Sequence, residues 1–394
     1  MKHLKILFVL QSPFCDTLGM SKVHFDLKIA FEKMGHIVDT LAFENLYPNG
    51  QSAISKIIGP LFTVKIFNRL KVIAKDYDII DANFDCVPFA KETFNFNGLL
   101  VYRSHGLQPL YRSFEKREPF KTILDEFNRG KKVKFKTRIG NLYRFLQKKP
   151  GDNELYSSIK YADIVHCLNI EEHKFLLSNG ISDEKLFVLP NGVSDEFIFK
   201  AVESDVKTKS NILSFVASWT LRKGITDLNT IVNVVQAGAV IQELKLLGGV
   251  EEASKVESFF QMENRKLLKI TPKYKAMELP QLLNNSKVGI FPSYIEGFGL
   301  AIVEQLACGI PVVAYNVPGP KDILSQLDPT LLIEPGNKEQ VSEKVLEILN
   351  MPDELYQQLS YKCKQRAKDY LMSKIASDFI KIYTDKLEDL RREN

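Results

Sequence analysis

The feature that most constrains this chain is a repeated alternation of short, β-rich apolar runs with longer stretches of helical periodicity. Residues 5–10 read as a buried strand. Ser21 then offers an N-cap, and Val23, Leu27, Ala30, Phe31 and Met34 recur at helical spacing until Gly35 stops the helix. Strand patterns return at 36–42, 78–82, 99–104, 164–167 and 186–189. Uniformly apolar strands in series with helices find cover on both faces in a parallel sheet flanked by helices. The pattern breaks at the turn signal Pro190-Asn191-Gly192, and 200–211 is polar without periodicity. It restarts with strands at 212–217, 244–247, 288–291, 312–315 and 331–333. Helical patterns cover 226–236, 252–264, 278–284, 300–307 and 338–349, and about 40 helical residues follow Pro352. The 394 residues suit two such α/β units, at roughly 150 residues per domain, joined near 190–210.

Composition excludes other classes. Apolar residues at 45% and charged residues at 26% fit neither a disordered nor a fibrous chain. No apolar run approaches the roughly 18 to 20 residues that span a bilayer. Residues 6–10 are too short for a signal-peptide core and read as the first strand. Five dispersed cysteines without a C-x-x-C pair, and six dispersed histidines, predict a reducing cytoplasmic setting and no metal site. The net charge of +5 is uneven: residues 101–150 hold 14 basic against 4 acidic side chains. Within them, 129–149 carry nine basic residues and no acidic one, and Phe135, Ile139, Leu142, Phe145 and Leu146 share one helical face. A basic amphipathic helix suits an anionic membrane surface. The competing reading is an apolar stripe packed on its own domain with a solvated lysine face. Nucleic acid is not expected, because nothing else in the chain reads as a binding module for it.

The stretch from Phe291 to Glu304 is the most informative. A buried strand ends at Phe291, a loop with Glu296, Gly297, Phe298 and Gly299 follows, and a helix starts near Leu300. A helix N-terminus presents unpaired N–H groups and partial positive charge, which suits a phosphate or sugar hydroxyls. Glycines admit close backbone approach. Glu304 lies about one and a half turns into the helix, and a carboxylate there can hold a vicinal diol. For either glutamate alone, a solvated side chain beside a turn is the plainer reading.

Glu296 and Glu304, followed by Ala307-Cys308-Gly309-Ile310-Pro311-Val312-Val313, resemble the E-x7-E signature of the retaining glycosyltransferases of family 4. Gly19 after the first strand, His105-Gly106, Pro190-Asn191-Gly192-Val193 and Lys223-Gly224 match that family in the same order, so the resemblance spans about 4–371. It implies the GT-B fold: two Rossmann-like parallel-sheet domains facing across a cleft. They would cover 1–195 and 196–371, with a C-terminal helix at 372–394 crossing back to the first. It further implies a nucleoside-diphosphate-sugar donor and a glycan or lipid-linked glycan acceptor, with retention and without a metal or other cofactor. Cell-surface polysaccharide synthesis in the cytoplasm is the implied setting, and the basic segment 129–149 would bring the protein to the inner face of the membrane.

The resemblance also assigns roles. Glu304 would bind the ribose, Glu296 the transferred sugar, and the amides of Gly297, Phe298, Gly299 and Leu300 the sugar and diphosphate. Lys223 would neutralise the diphosphate as the glycosidic bond breaks. His105 would contact the sugar or the acceptor, and Gly19 the donor. Apart from the resemblance, Asp81 and Asp85 read as loop aspartates after a strand that could be acceptor contacts, with two solvated side chains as the plainer reading. Two positions depart from the family: Ser218 stands where an arginine is usual, and Gly19 lacks its partner glycine. Arg222 would supply the missing cation, since a guanidinium binds phosphate bidentately. Ser218 also keeps open a non-catalytic nucleotide-sugar-binding module, and another GT-B enzyme acting on a small sugar is the second alternative.

Overall fold

The computed structural model describes residues 3–16, 19–48, 62–116, 150–203, 210–249 and 251–393. The basic segment 129–149 lies outside them. In chain order, the first elements are β1 (Lys5–Val9), α1 (Gly19–Lys33), β2 (Ile37–Leu41), α2 (Phe62–Ile73), β3 (Ile79–Asn83) and β4 (Leu99–Arg103). Then come α3 (Pro150–Tyr161), β5 (Ile164–Cys167), α4 (Ile170–Ser178) and β6 (Leu186–Val188). They continue with α5 (Asp195–Glu203), β7 (Ile212–Val216), α6 (Ile225–Gly238), β8 (Glu243–Leu247), β9 (Leu268–Thr271) and β10 (Ser286–Phe291). The last are α7 (Leu300–Ala307), β11 (Val312–Tyr315), β12 (Leu332–Ile333), α8 (Lys338–Leu349), α9 (Asp353–Ala367) and α10 (Met372–Glu393). Among the described residues, 3–109, 150–192 and 372–393 form one compact unit, and 110–116 with 193–371 a second.

The first unit is built on a six-stranded parallel sheet of order β2-β1-β3-β4-β5-β6. Strands β3 and β4 are buried at every position, as their apolar runs require. The final helix α10 belongs to this unit. Its Met372, Ile375, Ala376, Phe379, Ile380, Tyr383 and Leu387 recur at helical spacing and join Leu4, Ile6, Phe8, Leu27 and Phe31 in one core. Each large apolar side chain buried there contributes about 1.5–3 kcal/mol.

Asp81 corrects the sequence reading. It falls inside β3, as the strand pattern at 78–82 has it, but is no solvated loop aspartate: it is wholly buried against Arg103 of β4. The guanidinium donates from Nε at 2.9 Å and from Nη2 at 2.5 Å, and the Tyr383 hydroxyl of α10 donates to the same carboxylate at 2.7 Å. Phe379 covers the guanidinium, its ring centroid 4.2 Å from Cζ. Burial raises the Asp81 carboxyl, but the charge and hydrogen bonds of Arg103, with His24 and the Tyr383 hydroxyl, together outweigh it and hold the group below its ordinary value. Asp81 therefore fastens the last helix to the sheet, and all of its side chain is shut away from solvent.

The second unit carries a six-stranded parallel sheet of order β12-β11-β10-β7-β8-β9. The segment after Gly192, expected as a linker, includes helix α5, because Phe197, Ile198 and Ala201 present one face to the core. The long helix expected over 252–264 is two short ones, Ala253–Glu257 and Met262–Arg265. The edge strand β9, half exposed along its length, gave no apolar run to read. Among the described residues no helix is long and apolar enough to cross a membrane.

Candidate functional site

In the second unit, the ends of β7, β10 and β11 bring three loops together. The turn Leu221–Lys223 follows β7 and places Lys223 against the loop after β10, where its Nζ is hydrogen-bonded to Oε2 of Glu296. Both side chains keep some access to solvent, at 12% and 14%. The Lys223 ammonium also sits 5.0 Å from the Phe291 ring centroid. Surface ion pairs are usually worth little, but this one is held by its backbone. The Arg222 carbonyl accepts from the Tyr294 N–H at 2.9 Å and from Ser293 Oγ at 3.3 Å.

Two glycines make that interlock possible. Gly224 has φ +72°, and a Cβ there would lie 2.0 Å from the Pro292 carbonyl oxygen. At Gly319 a Cβ would lie 2.1 Å from the Phe298 carbonyl oxygen. The loop from Pro292 to Gly299 is thus gripped from both sides by backbone that only glycine can supply. Lys223-Gly224 was legible in the sequence; Gly319 was not.

A buried carboxylate fixes the same loop from beneath. Asp227, in the first turn of α6 and 1% exposed, accepts on Oδ2 from the Tyr294 hydroxyl and, at 2.5 Å, from the Tyr315 hydroxyl at the end of β11. Burial raises its carboxyl, opposed by the two phenol bonds. Both phenols are pushed above their ordinary range by burial and by that carboxylate. A helix, a loop and a strand end, far apart in sequence, are joined at one oxygen.

Helix α7 follows Gly299 and has no side-chain cap, so its N-terminus presents main-chain N–H groups and positive dipole. Gln305 anchors it: Ser214 Oγ of β7 donates to Gln305 Oε1 at 2.8 Å, and Gln305 Nε2 donates to the Ala301 carbonyl at 3.0 Å. Glu304, one residue before, is 8% exposed. Tyr274, whose ring lies 3.3 Å from where a Gly248 Cβ would be, has its phenol raised by burial and by Glu304. The Phe298 side chain packs in the core against Tyr370, with centroids 5.4 Å apart, which leaves only its backbone for any contact with a ligand. Arg222 is half-buried and its guanidinium makes no hydrogen bond among the described residues; Ser218 is exposed.

The remaining sequence-derived candidates belong to the first unit. His105 follows β4, its ring 4.8 Å from that of His24 and 5.7 Å from that of Phe84. Its buried Nε2 has no hydrogen-bond partner among the described residues. Burial, with His24 and Arg103, holds the imidazole well below its ordinary range, so it is neutral. Gly19 opens α1, and a Cβ there would meet nothing within 4 Å, so packing does not demand a glycine. The structure thus gathers Arg222, Lys223, Glu296, Gly297, Phe298, Gly299, Leu300 and Glu304 in one unit. Asp227, Tyr294 and Tyr315, which hold them, were missed because a buried tyrosine or aspartate has no motif of its own.

Residues 197–366 match the family model for glycosyl transferases group 1. The capsular polysaccharide biosynthesis glycosyltransferase CapM of Staphylococcus aureus is 23% identical over 227 residues, 54% of this chain and 58% of that protein. The chain spans about half the length of the curated relatives it matches. Among solved structures, sucrose-phosphate synthase of Thermosynechococcus elongatus is 18% identical with a TM-score of 0.72, covering 97% of this chain and 98% of that one. HepE of Anabaena, in complex with UDP and glucose, is 15% identical with a TM-score of 0.64, over 97% and 100%. With two parallel sheets, of six strands each among the described residues, the architecture is the GT-B fold.

Proposed function

We propose that this chain, whose second unit carries a domain of the glycosyl transferases group 1 family, moves a sugar from a nucleoside-diphosphate-sugar to a glycan or lipid-linked glycan acceptor with retention of configuration. The observation that carries the reading is the Lys223–Glu296 pair, held by interlocked backbone beside the uncapped N-terminus of α7. A cation and a carboxylate so placed serve the two ends of the scissile bond. The Lys223 ammonium, with Arg222 and the α7 amides, takes up the charge that grows on the diphosphate as the C–O bond lengthens. Glu296, released from Lys223 by the incoming diphosphate, accepts from hydroxyls of the transferred sugar, and Glu304 holds the ribose. His105, neutral and with a free Nε2, meets the transferred sugar or the acceptor.

In the transfer the anomeric carbon–phosphate oxygen bond breaks and a bond to the acceptor oxygen forms on the same face. The acceptor proton passes to the departing phosphate oxygen, and the nucleoside diphosphate leaves. Because lysine, arginine and helix dipole carry the diphosphate charge, the reaction needs no metal. The likeness to CapM, a capsular polysaccharide biosynthesis glycosyltransferase, supports a place in polysaccharide synthesis; the basic stretch 129–149 is the feature that suggests the inner face of the membrane as its setting. Purified protein, incubated in EDTA with a panel of UDP- and GDP-sugars and lipid-linked or soluble glycan acceptors, should release nucleoside diphosphate and give a product heavier by one sugar in the mass spectrum. Binding of a nucleotide-sugar with no turnover on any acceptor would favour the binding-module reading that Ser218 keeps open. No binding at all would refute both.

A further inference from the structure

The loop that carries His105 is held by a carboxylate that the reaction itself does not use. Glu172, in the first turn of α4, is wholly buried. Its Oε1 accepts from the Leu107 N–H at 3.1 Å and its Oε2 from the Leu168 N–H at 2.8 Å. Ser104, on the other side of His105, also hydrogen-bonds the carboxylate, and Ser104 Oγ accepts from the Gly106 N–H at 3.0 Å. Ser104, Gly106 and Leu107 are therefore all tied, directly or through one hydroxyl, to a single side chain. Gly106 turns between them with φ +116°. Glu172 is itself fixed by the Asn169 cap, whose Oδ1 accepts from the Glu172 N–H at 2.9 Å.

We propose that Glu172 is a positioning residue, which in its ionised form fixes the backbone on both sides of His105 and so sets where the imidazole meets the transferred sugar or the acceptor. The inference rests on the role given to His105 in the proposed function. An ionised carboxylate can accept all three bonds at once, whereas a protonated one carries a donor where an acceptor is needed. Burial raises the Glu172 carboxyl to about 7, opposed by these same bonds. Among the described residues, the titratable groups around it are the Tyr102 phenol of β4 and the Cys167 thiol of β5, with Asp85 beyond Tyr102. Burial pushes the phenol and the thiol up, so both stay neutral as Glu172 titrates. The anchor is then complete above pH 7 and is lost as pH falls through it.

Two measurements test this. In wild-type protein, the NMR resonance of the His105 ring, identified by its absence in His105→Gln, should shift with a midpoint near pH 7 while the imidazole stays neutral. This readout needs no substrate, so its failure is distinct from failure of the proposed transfer. In parallel, kcat of the wild type with its best donor should fall on the acid side with the same midpoint. Glu172→Gln, which sets an amide N–H against one of the backbone donors, should lose that acid limb and run about 10- to 100-fold slower at pH 8, the scale of a small misplacement of a reacting group. A flat His105 resonance between pH 5.5 and 8.5 would overturn the proposal, whether or not the variant folds. So would a folded Glu172→Gln with the wild-type pH profile.

Discussion

Replacing Tyr294 by phenylalanine removes one of the two phenols that Asp227 accepts from, and nothing else of the side chain. Asp227 is 1% exposed and Tyr294 4% exposed, so water cannot take the vacated place without opening the core. A hydrogen bond to a buried carboxylate is worth about 1.5–3 kcal/mol when one partner is removed. The ratio of folded to unfolded protein should drop roughly 10- to 150-fold. The pH dependence has a definite sign. The Asp227 carboxyl is already raised by burial, and the Tyr294 bond is one of the causes that lower it. The variant carboxyl rises further, so the folded state holds its proton to higher pH than the unfolded one. Stability is then lost as pH climbs from the unfolded value through the folded one, and the deficit of Tyr294→Phe should be larger at pH 8 than at pH 5. Urea unfolding at the two pH values measures both numbers. A loss under about 0.5 kcal/mol at pH 8, the ordinary scatter of a neutral substitution, would refute the account of the clasp, as would a deficit that shrinks with pH.

Three further outcomes are expected, two from the same geometry and the third from the charge pattern of the sequence at 129–149. Glu304→Ala should weaken binding of the preferred nucleoside diphosphate by about 1.5–3 kcal/mol in calorimetry, with the protein still folded, because a charge-assisted bond is lost and hydroxyls are left unpaired. Gly224→Ala, which drives a Cβ into the Pro292 carbonyl, should abolish donor binding and lower the unfolding midpoint, whereas Gly19→Ala should leave the midpoint within a degree or two of wild type. Wild-type protein should bind anionic vesicles at low salt through 129–149 and be released by salt, since each Lys or Arg contributes about 1 kcal/mol near such a surface; glutamate at Lys131, Lys132, Lys134 and Lys136 should abolish that binding while nucleotide affinity stays.

Much of this architecture was legible because buried parallel strands advertise themselves. The strand at 164–167 falls where its four apolar-framed residues put it, and the glycine-bounded loop before α7 shows in the spacing of Glu296 and Glu304. What escaped was what depends on a partner distant in sequence. Asp81 falls within the strand pattern at 78–82 yet reads as a solvated aspartate until Arg103, 22 positions away on the neighbouring strand, pairs with it inside β3. Asp227 is an ordinary first-turn aspartate until Tyr294 and Tyr315, 67 and 88 positions later, close over it. Helix α5 was hidden because its apolar face is only three residues wide and its flanks are charged. Gly319 carries no signal, since only the approach of the Phe298 carbonyl explains it.

The most direct test of the donor site is a crystal structure of the protein with its preferred nucleoside-diphosphate-sugar. The diphosphate should lie within hydrogen-bond distance of Lys223 Nζ and the first amides of α7, the ribose hydroxyls on Glu304, and the sugar on a Glu296 no longer paired with Lys223. A nucleotide bound away from these residues, or a Lys223–Glu296 pair left intact beside a bound donor, would contradict the mechanism.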